Sequence, residues 1–283
     1  MAHPLDHLVI GVPDLAGAGT RFKTLGFQVG NVNRHPWGTH NRIVQFADET
    51  FLELITVGEP EKIPEHGPRR FSFGAFVRDA LARRPGLSML VLKGTNARAD
   101  AAGFCKDGIG DFEPFDFSRK GQRPDGSETE VAFSLAFAAD PALPEAAFFT
   151  CQQHFPQNFW SKAAQTHPNG AKGIARVTLV AENPSDHHIF LGAFIGNREM
   201  RATSFGIEIE AGRATIEIVS RTGFAFRYGF EAPAAETPIF GGVEIVVPRL
   251  FAFPGCDGLK AHNGGFSMAP DAAMSTVFRV IEG

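Results

Sequence analysis

Apolar and polar positions follow a recurring order along the chain: a short strand, an amphipathic helix, then three strands. Residues 5–12 (LDHLVIGV) are β-branched and apolar, a Pro-Asp turn follows, and Leu15, Ala18, Phe22 and Leu25 then recur at helical spacing. Asp14 is placed to accept from the free amides at the helix start, and Gly26 to adopt the left-handed conformation that ends it. FQVGNV, NRIVQFAD and, after an ADET turn, TFLELITV read as strands, so a first β-α-β-β-β module covers about residues 5–57. The order returns in LSMLVLKG, NARADAAGFC, FEPFDF, TEVAFSLAF and AAFFTCQQ, giving a second module over about 87–152. GIARVTLVAENP, the SDHHIFLGAFIG helix, ATSFGIEIE and RATIEIVS make a third over about 173–220, with one strand blurred. GGVEIVVP and STVFRVIE leave a degraded fourth at about 240–282.

Segments rich in proline, charge and small polar residues separate these copies. The one near 155–172 is the expected boundary between a first unit (1–155) and a second (172–283). A helical pattern over 73–84 inside the first linker is placed to lie across one end of the first module pair. The expected class is α+β, built from repeated βαβββ modules.

Composition narrows the classes of function. At 283 residues, 43% hydrophobic and 20% charged, with a mean hydropathy of −0.07, the chain has a globular composition with room for a large core. A net charge of −4 and the lack of any Lys/Arg run argue against nucleic acid as a partner. Cys105, Cys151 and Cys256 are widely spaced and form no CxxC pair, which suits neither a disulfide framework nor a thiolate zinc site. No long apolar run suggests a membrane span, and the N-terminus lacks the basic start and apolar stretch of a secretory signal, so a cytoplasmic setting is expected. Dinucleotide-binding GxGxxG, P-loop, HExxH and GxSxG patterns are missing. Phenylalanine, 28 residues against a single tyrosine, suits dry packing.

Asp6-His7, the Val12-Pro13-Asp14-Leu15 turn, Leu25-Gly26-Phe27, Gly38-Thr39-His40-Asn41 and Phe51-Leu52-Glu53-Leu54 together resemble the glyoxalase-like group of the vicinal oxygen chelate superfamily (glyoxalases, bleomycin-resistance proteins, extradiol dioxygenases). The match is dense over residues 4–57 and weaker afterwards. The resemblance implies that two modules pair into an open, incomplete β-barrel with helices outside. It also implies a divalent metal (Zn, Mn, Ni or Fe(II)) in the cleft, with ligands from the first and fourth strands of each module. His7 and Glu53 occupy those positions, and strand alternation lets both face one side. A catalytic metal needs a third ligand. The second module offers Thr150, Cys151, Gln152 and His154, and the reading adopted is His154, on the face shared with Thr150 and Gln152; a slip of one residue would aim Cys151 inward instead.

Each assignment has a plainer alternative. His7 can be an ordinary polar residue near a strand start, and Glu53 can pair with Arg42 on the neighbouring strand. His40, Asn41 and Gln152 are candidate substrate contacts, or else turn and surface residues. His167 is expected to order its loop, His187 and His188 to lie at the surface, and Cys151 to be buried and inert. In the third module Glu217 matches Glu53 while Arg176 matches His7, so a salt bridge is expected where the first module carries metal ligands.

Two functions of different class stay open. One is a metal-dependent lyase, isomerase or hydrolase acting through an enolate on a small substrate with vicinal oxygens, Glu53 moving the proton, with an iron(II) ring-cleaving dioxygenase as its variant. The other is a metal-free protein that binds an apolar or aromatic small molecule. A homodimer is compatible with either.

Overall fold

The computed structural model of the chain describes residues 2–122, 128–250 and 259–283. Cys256 and its neighbours in the Gly/Pro-rich stretch lie outside them. The first module comprises β1 (Leu5–Gly11), α1 (Leu15–Thr24), β2 (Asn33–Arg34), β3 (Thr39–Gln45) and β4 (Phe51–Val57). Asp14 Oδ1 accepts from Ala16 N at 2.9 Å and Gly26 sits at φ 81°, the two helix-end roles its sequence predicts. The expected strand over 27–32 does not form, and a two-residue strand, β2, follows it at Asn33–Arg34. Phe27 instead turns into the core, and the backbone beside β3 makes a bridging bond from Gly30 N to Ile43 O.

The second module follows α2 (Phe73–Arg83) and comprises β5 (Gly86–Lys93), α3 (Ala97–Lys106), β6 (Phe115–Gln122), β7 (Glu128–Ala138) and β8 (Ala147–Gln153), after which comes the single-turn α4 (Pro156–Phe159). All eight strands share one sheet in the order β2-β3-β4-β1-β5-β8-β7-β6, which curls into a half-barrel. Within each module the first strand pairs in parallel with the last, and β1 and β5 join the modules antiparallel. The free edges, β2 and β6, meet across the opening, where Trp37 stacks edge-on to Phe115 and Phe117 at 5.1 and 4.8 Å. Helix α2 closes one end, burying Phe73, Phe76 and Val77 against Val9, Met89, Val91 and Phe149 of the inner face.

A second eight-stranded sheet repeats the plan in the order β10-β11-β12-β9-β13-β16-β15-β14. It contains β9 (Gly173–Val180), α5 (His188–Ile195), β10 (Arg201–Thr203), β11 (Gly206–Ala211) and β12 (Ala214–Val219), which form a complete third module. Strands β13 (Ile239–Val247), β14 (Leu259–His262), β15 (Gly265–Met268) and β16 (Val277–Glu282) complete the sheet. The outer faces of the two sheets share one apolar cluster, with Leu8, Leu52, Leu90 and Phe148 on one side and Phe194, Phe240 and Val243 on the other. Phe148 packs against Phe190 and Phe194 of α5 at 4.8 and 5.4 Å. The loop before β9 is bolted down by His167, whose Nδ1 accepts from Gln28 N while its Nε2 donates to Gln45 O. His187 is buried rather than at the surface, because a 3-10 turn over Pro184–His187 precedes α5 and rotates it inward.

Helix α6 (Arg221–Tyr228), which the sequence pattern did not suggest, fills the second half-barrel as α2 fills one end of the first. Tyr228 lies flat against β13, its hydroxyl 2.6 Å from Thr178 Oγ1, and a Cβ on Gly242 would sit 2.3 Å from the ring. Gly242→Ala should therefore cost about 1–3 kcal/mol by overpacking, read as a lower urea midpoint at unchanged slope.

Candidate functional site

The first half-barrel holds a cleft of about 470 Å³ that opens between the sheet edges. Its walls are mostly aromatic, from Trp37, Phe51, Phe73, Phe117, Phe133 and Phe149, and its polar floor is formed by His7, Asn41 and Glu53. Strand alternation builds that floor. The odd residues of β1, β3 and β4 point inward, and the parallel register sets His7 beside Phe51 and Val9 beside Glu53.

His7 is buried, stacked on Phe51 at a ring separation of 4.1 Å, with its Nδ1 2.5 Å from Asp6 Oδ1. A carboxylate can only accept, so Nδ1 carries the proton and Nε2 turns to the cleft. Asp6 is itself buried and also accepts from Gln153 Nε2 at 3.2 Å. Glu53 Oε2 lies 3.8 Å from His7 Nε2, and Glu53 Oε1 accepts from Asn41 Nδ2 at 2.5 Å. Burial pushes the Glu53 carboxyl above its ordinary value; the His7 ring and the Asn41 hydrogen bond pull the other way without cancelling it. Arg42, the alternative partner, lies on the opposite face and donates to Gly30 O.

The amide of Asn41 continues outward. Its Nδ2 also approaches His35 Nε2 at 3.4 Å, its Oδ1 accepts from Asn33 Nδ2 at 2.9 Å, and Asn33 Oδ1 accepts from Arg119 Nη1 at 2.9 Å. His35 is stacked on Trp37 and held down to about 3 by burial, then by the charges of Arg119 and His40, so it is a neutral ring. Asn33, His35 and Trp37 leave no signal because NVNRHPWG carries turn-forming residues and no strand periodicity, and Arg119 lies past the end of the FEPFDF pattern, in the part of β6 that runs on to Gln122.

Two expected site residues of the second module lie elsewhere. On β8 the inward residues are Phe149 and Cys151, while Thr150 and Gln152 face outward to Asp100 and to the amide of Ala97. His154 shares that outward phase and meets Ser134 Oγ at 2.8 Å. His40 is likewise on the outer face of β3, its Nε2 3.5 Å from Glu59 Oε2. Cys151 does reach the cleft, as a buried thiol pushed well up by burial and by the charges of Asp6 and Glu53.

The donor set does not suit a chelated metal. His7 Nε2 and Glu53 Oε2 could share one ion, but the shared register places Met89 and Phe149 where the second module would supply the matching pair. Among the described residues no group of three or more His, Cys, Asp or Glu is placed to hold a metal ion.

The second half-barrel carries ions in place of ligands. Arg176, at the position of His7, donates to Glu208 Oε1, Glu217 Oε2 and Glu244 Oε2 at 3.0–3.1 Å, and Arg227 and Arg279 add further pairs with Glu217 and Glu244. No helix among the described residues is long and apolar enough to cross a membrane.

The sequence model of the glyoxalase-like domain matches residues 5–192. No curated protein matches the chain. Among solved structures, a hypothetical protein from Staphylococcus aureus superposes with a TM-score of 0.67 at 13% identity, over 98% of each chain. A fusion protein described as xylose isomerase-like TIM barrel/4-hydroxyphenylpyruvate dioxygenase superposes with a TM-score of 0.51 at 11% identity; the match takes in 99% of this chain and 48% of that one. At such identities the likeness is one of fold. Domain match, module order and half-barrel topology agree, and the chain belongs to the glyoxalase-like domain family of the vicinal oxygen chelate superfamily.

Proposed function

We propose that the first half-barrel takes up a small, flat, largely apolar molecule and that His7 and Glu53 move a proton on a carbon beside its carbonyl group, without a chelated metal. The observation that supports this most is Glu53 itself. It is a buried carboxylate whose ionisation is held up, set against the His7 ring at the floor of an aromatic-walled cleft. A carboxyl raised toward neutrality is suited to both taking and returning a proton. Asp6 fixes the His7 ring so that Nε2 faces the substrate, the role a buried carboxylate plays behind an acid–base histidine. Asn41 holds one Glu53 oxygen and leaves the other for the transfer. The aromatic walls exclude water, which strengthens each polar contact at the floor.

The superfamily's general use of divalent metals supplies the competing reading. A panel of aryl ketones in D₂O, followed by NMR, separates the two. Exchange at the α-carbon should proceed in chelator and be unchanged by Zn, Mn, Ni or Fe(II). Exchange that begins only on metal addition, with a stoichiometric ion bound, would show that His7 and Glu53 act as ligands and overturn the metal-free reading.

A further inference from the structure

The mouth of the cleft differs from its walls. Arg34 on β2 and Arg119 on β6 both line it, one from each free edge of the sheet. Lys62, also at the mouth, is paired with Glu59 at 2.5 Å. Among the described residues Arg34 and Arg119 have no carboxylate partner, and Arg119 donates to the neutral amide of Asn33. In a chain of net charge −4, these two arginines therefore line the opening from opposite sheet edges, while the other charges there, Glu59 and Lys62, pair with each other. The charge of Arg119 is felt inside, since after burial it is the next cause that holds His35 neutral.

We propose that Arg34 and Arg119 select an anionic ligand, an aryl or alkyl carboxylate whose apolar body fills the cleft and whose carboxylate sits at the mouth. This rests on the cleft being the binding site, as proposed above. Guanidinium forks match carboxylate geometry and make charge-assisted hydrogen bonds stronger than neutral ones. Among the described residues the opposite end of the cleft is lined by no lysine or arginine, and the buried Glu53 there offers no donor fork for an anion, which fixes the direction of entry. Such a ligand lies with its charged end outward and its carbonyl or hydroxyl end toward His7 and Glu53. The two arginines are specificity-determining residues and take no part in the proton transfer.

The test is calorimetric titration with 2-naphthylacetate and its neutral counterpart 2-naphthylethanol at low ionic strength. The acid should bind at least tenfold more tightly, a preference that shrinks with added salt. Arg34→Gln with Arg119→Gln should erase the preference while keeping the affinity for the alcohol, and Arg119→Lys should retain part of it. Reversal with Arg34→Glu and Arg119→Glu should make 2-naphthylethylamine the preferred ligand. Equal binding of acid and alcohol to the wild type, or a preference that survives the double glutamine variant, overturns the selection by Arg34 and Arg119 while leaving the cleft as the site. Failure of every naphthyl compound to bind overturns the cleft reading and this one with it.

Discussion

Arg176→Met should lower the thermal midpoint by roughly 6–10 °C, the equivalent of about 3 kcal/mol for a chain of this size. Among the described residues the guanidinium, 17% exposed, is the one cation that touches Glu208, Glu217 and Glu244 together, and the Glu217 side chain is 1% exposed. Removing it leaves these carboxylates out of water with fewer cations, and an uncompensated buried charge is the costly half of a broken pair. Arg201, Arg227 and Arg279 keep some compensation, which places the loss at the low end of the usual range.

The sign of the pH dependence follows. Burial raises the Glu217 carboxyl, and Arg176 and then Arg227 pull it back. Without Arg176 its folded-state value rises further above the unfolded one, so the variant's deficit is greatest where Glu217 must be ionised and shrinks as protonation relieves it. Calorimetric midpoints should therefore differ more at about pH 8 than at about pH 5. Adding Glu217→Met should recover part of the loss; a single variant as stable as the wild type would show that the network holds nothing together.

The module repeat was legible because its strands and helix recur in fixed order, and each half-barrel needs only that order. The Arg176 and Glu217 pairing was legible for the same reason, since matched positions in a repeated fold meet matched neighbours. The phase of β8 was not. Phe148 is buried against α5 and Phe149 against α2 and the cleft, so both faces are apolar and the strand shows no alternation to read. Nothing in that pattern tells whether His154 and Gln152 point inward, whereas in β1 and β4 a polar residue between apolar ones marks the face that His7 and Glu53 share. The chain Asn41–Asn33–Arg119 joins opposite edges of the sheet, a closure that depends on curl and leaves no trace in local pattern. Helix α6 was hidden by its glycine and by polar residues on the face turned away from β13.

Glu53→Gln should reduce α-proton exchange by about 10²–10⁴-fold while leaving ligand affinity within a few-fold of wild type. The amide preserves the shape of the carboxyl and its Oε1 can still accept from Asn41, so the floor keeps its packing and loses only its capacity to carry a proton. A residue with a purely structural role would show the opposite, lost affinity together with lost stability. Stability provides an independent check with a definite sign. Because burial raises the folded-state value of Glu53 above the unfolded one, its contribution is most favourable below the unfolded value and is lost as pH rises through the folded one. Glutamine does not titrate, so the midpoint of the variant relative to wild type should climb as pH increases from about 4 to about 8. A difference that stays flat over that interval would mean that Glu53 titrates in the folded protein as it does in water, and the floor of the cleft would then hold an ordinary ionised carboxylate in place of a proton-transfer group.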